Sequence, residues 1–100
     1  MSKINEARLL LENGNLEKAE AIYRTLIKSG ENDIAIYSNL AIICGKTNRN
    51  DEKIKLLKYV ISKEPNNSIL YNNLGNAFAK NKSFKQSIKY FKKAIEINPD

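Results

Sequence analysis

Ile36-Tyr37-Ser38-Asn39-Leu40-Ala41 returns 34 residues later as Leu70-Tyr71-Asn72-Asn73-Leu74-Gly75. The same offset relates Leu57 to Phe91, Ile61 to Ile95 and Pro65 to Pro99, so that Lys63-Glu64-Pro65-Asn66 recurs as Ile97-Asn98-Pro99-Asp100. One period shared by so many pairs marks internal repetition. A period of roughly 20–50 residues marks supersecondary units that cannot bury their apolar faces alone and must stack.

Within each unit the apolar residues recur at helical spacing. Phe84, Ile88, Phe91, Ala94 and Ile95 fall at steps of three and four and share one face, opposite Lys85, Lys89, Lys92 and Lys93. Leu70, Tyr71, Leu74, Ala77 and Phe78 make a second stripe in the preceding segment. This periodicity predicts six helices near 3–13, 16–29, 34–46, 50–63, 68–81 and 84–97. Asn15, Asp33, Asn50, Asn67 or Ser68, and Ser83 are placed to cap first turns with a side-chain oxygen. Pro65 and Pro99 end the second and third units, because proline cannot continue a helix interior. Ala41, Gly75 and Ser87 are expected where paired helices approach closely. Glycine inside a helix costs about 1 kcal/mol relative to alanine, so Gly75 needs a packing reason.

These residues resemble the tetratricopeptide repeat pattern. Residues 68–99 carry it nearly whole: Tyr71 in the bulky aromatic place, then Leu74-Gly75, Phe78, Ser87 as the small residue, Phe91, Ala94 and Pro99. Residues 34–67 match through Tyr37, Leu40-Ala41, Cys44, Leu57, Val60 and Pro65. Residues 1–33 match in part, through Ala7, Leu10, Gly14, Leu16, Ala19, Tyr23 and Leu26. The resemblance implies an all-α, right-handed superhelical solenoid of three helix-turn-helix repeats, about 1–33, 34–67 and 68–100, forming one domain. It is specific for fold and says little of function.

Several places depart from the pattern. Lys53 stands where the family has a small residue, so its stem is expected along the core edge with the ammonium in water. Asn50 replaces a large apolar residue, which predicts a looser turn at Lys46–Asp51 than at Lys80–Phe84. Lys3 and Glu6 replace apolar residues, which predicts a short or frayed first helix. The chain stops where a further helix would begin, so Tyr90, Ile97 and the apolar surface around them are expected to be exposed. The chain then reads as a fragment of a longer repeat protein, or as one whose last repeat associates with another subunit.

Composition narrows the function. The 100 residues hold no histidine and one cysteine, Cys44. The commonest general base and zinc ligand is thus missing, and a thiolate metal site cannot form. Cys44 lies on the apolar stripe of the third helix and is expected in the core. Gly14, Gly30, Gly45 and Gly75 are scattered and make no phosphate loop. Glu17 and Glu20, like Asp51 and Glu52, sit near helix starts, where they complement the helix dipole. An enzyme is not expected, nor a cofactor. No apolar run reaches the roughly 20 residues of a membrane span and no hydrophobic leader is seen, so a cytoplasmic location is expected. The net charge of +6 is uneven: residues 1–33 sum to −1, 34–67 to +3 and 68–100 to +4. A solvated lysine face is the reading taken, and nucleic acid is not the expected ligand.

The resemblance further implies that the first helix of each pair lines a groove for a peptide or protein ligand. The expected site is Asn5, Arg8, Asn39, Ile42, Lys46, Asn73, Asn76 and Lys80. Asn5, Asn39 and Asn73 fall at one equivalent place of the 34-residue period. An asparagine amide donates to a backbone carbonyl and accepts from a backbone N–H at once, so a row of them grips an extended chain without reading its side chains. The arrangement resembles the asparagine ladder in the repeat domain of O-linked N-acetylglucosamine transferases. The two-carboxylate clamp of chaperone-binding members is not matched, since Ile4 and Ile69 stand among its places. The leading expectation is a peptide-binding scaffold. The alternatives are a substrate-recruiting segment of a larger glycosyl- or sulfotransferase-type enzyme and, less favoured, an RNA-binding helical repeat.

Overall fold

The computed structural model describes residues 1–100 as six helices with no strand: α1 (Lys3–Glu12), α2 (Leu16–Lys28), α3 (Ile34–Lys46), α4 (Asn50–Lys63), α5 (Ser68–Lys80) and α6 (Phe84–Ile97). Successive helices pair as hairpins, α1 with α2, α3 with α4 and α5 with α6. The pairs then stack through α2 on α3 and α4 on α5. The stack is elongated, 40 × 25 × 23 Å, as expected of an array in which each pair meets only its neighbours.

First and second helices of each pair start by different physics. Ser2, Asp33 and Asn67 lie in extended backbone and cap α1, α3 and α5, their side-chain oxygens accepting from the N–H of Asn5 (3.1 Å), Ala35 (2.9 Å) and Ile69 (3.1 Å). The side-chain caps expected at Asn15, Asn50 and Ser83 do not form. Asn15, Arg49 and Ser83 occupy the cap places of α2, α4 and α6 with no side-chain bond, and Asn50 is already the first residue of α4. The reason lies in the preceding turn. The N–H groups of Asn15, Arg49 and Ser83 donate back to the carbonyls of Leu10 (2.8 Å), Cys44 (2.8 Å) and Phe78 (2.9 Å), closing the helix before. That closure requires a left-handed residue just before the cap, and it recurs at the repeat period as Gly14 (φ 81°), Asn48 (φ 59°) and Lys82 (φ 61°). The turn at Lys46–Asp51 is therefore no looser than the one at Lys80–Phe84: both close with the same bond and the same conformation. The first helix is short, at 10 residues, but it is capped.

The core is two clusters along the stack. Ala7, Ala19, Tyr23, Ile36, Leu40 and Ile43 fill the space among α1, α2 and α3. Ala41, Ile54, Leu57, Val60, Leu70, Leu74 and Ala77 fill that among α3, α4 and α5. Tyr37 and Leu56 touch both. Cys44 is fully buried, as its place on the stripe predicts, and burial pushes its thiol up. Only Ser87 and Ala94 are buried on α6. The exposed apolar side chains there are Phe84 (60%), Ile88 (54%) and Ile95 (61%). Tyr90 and Ile97, expected to be exposed, are half-buried; Tyr90 turns back to stack on Phe78 with ring centroids 5.5 Å apart.

Polar side chains tie neighbouring pairs together. Asn50 donates from Nδ2 to the Ala77 carbonyl and to Asn81 Oδ1, both at 2.8 Å, and Asn81 donates to Asp51 Oδ1 at 2.9 Å. The apolar residue expected at Asn50 is replaced by a link from α4 to the end of α5.

Candidate peptide-binding groove

The site is shaped by the third and fifth helices. α1 and α3 approach one another, whereas α3 and α5 do not. A groove of about 360 Å³ opens between them, lined by Ser38, Ala41, Ile42, Gly45 and Lys46 of α3, Lys53 and Leu57 of α4, and Leu70 and Asn73 of α5. Its size falls at the low end of the roughly 300–1,000 Å³ typical of ligand sites.

The groove also differs from the equivalent gap of the first repeat in one layer of side chains. Ala19, Lys53 and Ser87 occupy equivalent places, and Ala19 and Ser87 are buried. Lys53 cannot be buried as a charge, so its stem runs across Gly45 toward solvent. A Cβ at Gly45 would lie 2.9 Å from Lys53 Nζ and 3.2 Å from its Cδ. The glycine thus supplies the width that the lysine takes. In the sequence Lys53 reads as a packing defect. In the fold it becomes part of the lining of the groove.

Of the eight residues expected at the site, Ile42, Lys46 and Asn73 meet in this groove. Asn39 lies on α3 but outside the lining. It is half-buried, and its Nδ2 donates to the Tyr23 hydroxyl at 2.9 Å. Tyr23 is fully buried, and desolvation raises its phenol despite that bond. The places one and two periods beyond Tyr23 hold Leu57 and Phe91, which have no hydroxyl, so Asn73 has no such partner. Asn5 is exposed on α1. Arg8 is paired with Glu12 at 2.9 Å on the same helix. Asn76 and Lys80 are exposed on α5 outside the lining. The three asparagines share a sequence position but differ in environment: Asn5 free to solvent, Asn39 partly spent on a core tyrosine, Asn73 facing the groove. Ser38, Ala41, Gly45, Lys53, Leu57 and Leu70 complete the lining and were not among the eight expected residues; Lys53 and Gly45 set it apart from the neighbouring repeats. Their signal was a lysine at a small-residue place eight positions after a helical glycine.

Comparison with known proteins agrees with this fold. Family models described as tetratricopeptide repeat match residues 4–52 and 68–100. The anaphase-promoting complex subunit CDC16 of Saccharomyces cerevisiae is 29% identical over 85 residues, which are 85% of this chain and 10% of that protein. Among solved structures, MamA from Desulfovibrio magneticus superposes with a TM-score of 0.88 at 18% identity, covering 97% of this chain and 55% of that one. The C-terminal part of a TPR repeat-containing protein from Cytophaga hutchinsonii superposes with a TM-score of 0.79 at 18% identity, covering 96% and 38%. The chain thus spans a tenth of its curated relative and about half or less of these structures. No helix is long and apolar enough to cross a membrane. With the repeat period, the stacked hairpins and these matches in agreement, the chain belongs to the tetratricopeptide repeat family, an all-α helical-repeat solenoid of the kind that serves as a protein-interaction scaffold.

Proposed function

We propose that this scaffold holds an extended peptide or partner segment in the groove between α3 and α5, and that Asn73 is its principal backbone-gripping side chain. The observation that carries the reading is the groove itself: polar Ser38 and Asn73 stand over an apolar floor of Ala41, Leu57 and Leu70. Asn39 supports it from the edge. Its Nδ2 is engaged by Tyr23, but its Oδ1 and second N–H remain for a ligand. The yeast relative is by name a subunit of a multiprotein complex, which fits a role in assembly.

A peptide recovered with the protein from source cells supplies the test. Replacing Asn39 and Asn73 together by alanine is expected to weaken it by about ten- to a hundredfold, since each lost hydrogen bond is worth about 0.5–1.5 kcal/mol. Asn73→Ala alone should leave the melting curve in place, whereas Asn39→Ala should lower it by stranding the buried Tyr23 hydroxyl. Unchanged binding in the double variant, with binding abolished by charge reversal at Lys85, Lys89 and Lys92, would move the site to α6. RNA is not favoured as the ligand. Tyr71 is buried with its hydroxyl on the Pro65 carbonyl (2.9 Å), and Tyr90 is half-buried with its ring stacked on Phe78, so neither offers a fully exposed face to a base.

The exposed Phe84, Ile88 and Ile95 support self-association as a second property of the chain. Ile88 is equivalent to Ile54, which is 92% buried where α5 covers α4. Sedimentation should show a concentration-dependent species that Ile88→Lys removes. A strict monomer at millimolar concentration would reject it.

A further inference from the structure

Two of the three helix pairs place aromatic rings side by side. Tyr37 of α3 meets Tyr59 of α4 with ring centroids 4.3 Å apart, and Tyr71 of α5 meets Tyr90 of α6 at 6.4 Å. An ammonium lies 5.5 Å from one ring of each pair, Lys63 over Tyr59 and Lys89 over Tyr90. The repeat period carries Tyr37 and Tyr71 back to Lys3, Tyr59 back to Thr25 and Tyr90 back to Ile22. The first pair therefore has no ring at this place. A cavity of about 250 Å³ opens there between α1 and α2, lined by Lys3, Ala21, Ile22, Thr25 and Leu26. Lys3 stands two residues before Asn5, on the opposite side of α1, so the cavity is separate from the groove that holds the equivalent Asn73. Its wall is mostly apolar. The Thr25 hydroxyl donates to the Ala21 carbonyl at 2.9 Å and so brings no free donor. Leu26 stays half-buried, whereas its equivalents Val60 and Ala94 are buried. No carboxylate lines the cavity. The charge at its mouth is basic: Lys3, and Lys18, which is exposed, in no ion pair and one turn before Ala21 and Ile22 on the same face of α2.

We propose that this cavity docks a tyrosine side chain of a partner protein, one flanked in its own sequence by acidic residues. The repeat itself names the occupant, because tyrosine fills the equivalent place in both other pairs. Ala21, Ile22 and Leu26 take the ring out of water. The Lys3 ammonium stands to that ring as Lys63 stands to Tyr59 and Lys89 to Tyr90, attracted by the negative face of the π-system. Lys18 is complementary to the flanking acid and selects tyrosines in acidic surroundings over others. The site is independent of whatever the groove between α3 and α5 holds.

The peptide acetyl-Glu-Tyr-Glu-amide, titrated into the whole chain at low salt and followed by methyl and amide NMR, tests this. The methyl signals of Ala21, Ile22, Thr25 and Leu26 should shift together with a Kd on the order of 1 mM, the affinity of a single anchor, and show Overhauser contacts to the tyrosine ring. A counterpart with leucine for the tyrosine should bind about fivefold more weakly. One with glutamine for both glutamates should bind about threefold more weakly. Lys3→Tyr combined with Thr25→Tyr rebuilds in the first pair the rings of the second. It should weaken the peptide by about tenfold or more and leave the melting temperature at or above that of the wild type. Thr25→Tyr alone keeps the Lys3 charge and should weaken the peptide as well, which separates filling the cavity from removing a cation. Equal binding of either counterpart would overturn the assignment, as would full binding by the rebuilt variant, a melting temperature below the wild type or an absence of shifts well above the expected Kd. Shifts confined to Ile42 and Asn73 would put the peptide in the groove and overturn it too. Signals of Ile22 and Leu26 that move with protein concentration and no peptide would give the cavity to a second copy of the chain instead.

Discussion

Gly75→Ala is expected to destabilise the chain by about 2 kcal/mol, the net of an overpacking cost of roughly 1–3 kcal/mol and a gain in helix propensity of under about 1 kcal/mol. A Cβ at Gly75 would stand 2.7 Å from both Cδ1 and Cε1 of Phe91 and 3.1 Å from its Cγ. A ring packed between α5 and α6 cannot swing away as a lysine tip can, so the two helices must part. The repeat supplies its own control. The places equivalent to Gly75 and Phe91 in the preceding pair hold Ala41 and Leu57, which sit in one buried cluster. The small residue grows by a methyl where the large one is reduced from phenyl to isobutyl. Phe91→Leu should therefore rescue Gly75→Ala, and urea melts of the two single variants and the double variant should show coupling of about 1–2 kcal/mol. Additive losses would mean that Gly75 is not held by Phe91. The contrasting case is Gly45→Ala, which meets only the mobile end of Lys53 and should stabilise α3 by up to about 1 kcal/mol.

Glu20→Gln is expected to cost about 2 kcal/mol and to loosen the first pair from the second. Glu20 of α2 accepts two 2.6 Å bonds from the Arg49 guanidinium at the start of α4, and a 2.8 Å bond from Arg24. Arg24 reaches on to Glu52 at 2.7 Å. The network therefore crosses from the first helix pair to the second. The bonds from Arg49, helped by those from Arg24 and opposed by burial, hold the Glu20 carboxyl down to about 2. Its folded value lies below its ordinary 4.5, so the linked stability is fully present above about pH 4.5 and is lost as pH falls toward 2. The arginines are about two-fifths exposed, and solvent screening limits that contribution to about 1–2 kcal/mol. Unfolding free energy should fall over this acid range in the wild type, and less steeply in Glu20→Gln. Parallel pH profiles would show that Glu20 is not the linked group.

The departures in the sequence turn out to be compensated pairs. Lys53 reads as a defect in a small-residue place until Gly45 is found beneath it. Asn50 reads as a lost apolar contact until its amide is found on the Ala77 carbonyl. Asn39 reads as one member of a row of equivalent asparagines until Tyr23 claims part of its amide. In each case the partner lies at least eight residues away, on another helix. No local rule connects the two residues.

What the sequence alone determined is what repeats or is local. The 34-residue period, the apolar stripes and the proline stops set six helices within about a residue of their observed ends. Stacking was implied because no single pair can bury its face. Ile42, Lys46 and Asn73 were legible as residues facing the gap between first helices because the period carries equivalent positions to equivalent places on a helix. The tertiary structure alone decided how wide each gap between pairs is, which asparagine is free and which cation is unpaired. Those outcomes depend on side-chain volume and hydrogen bonds summed across helices, as where Lys53 of α4 lies over Gly45 of α3 beside the groove.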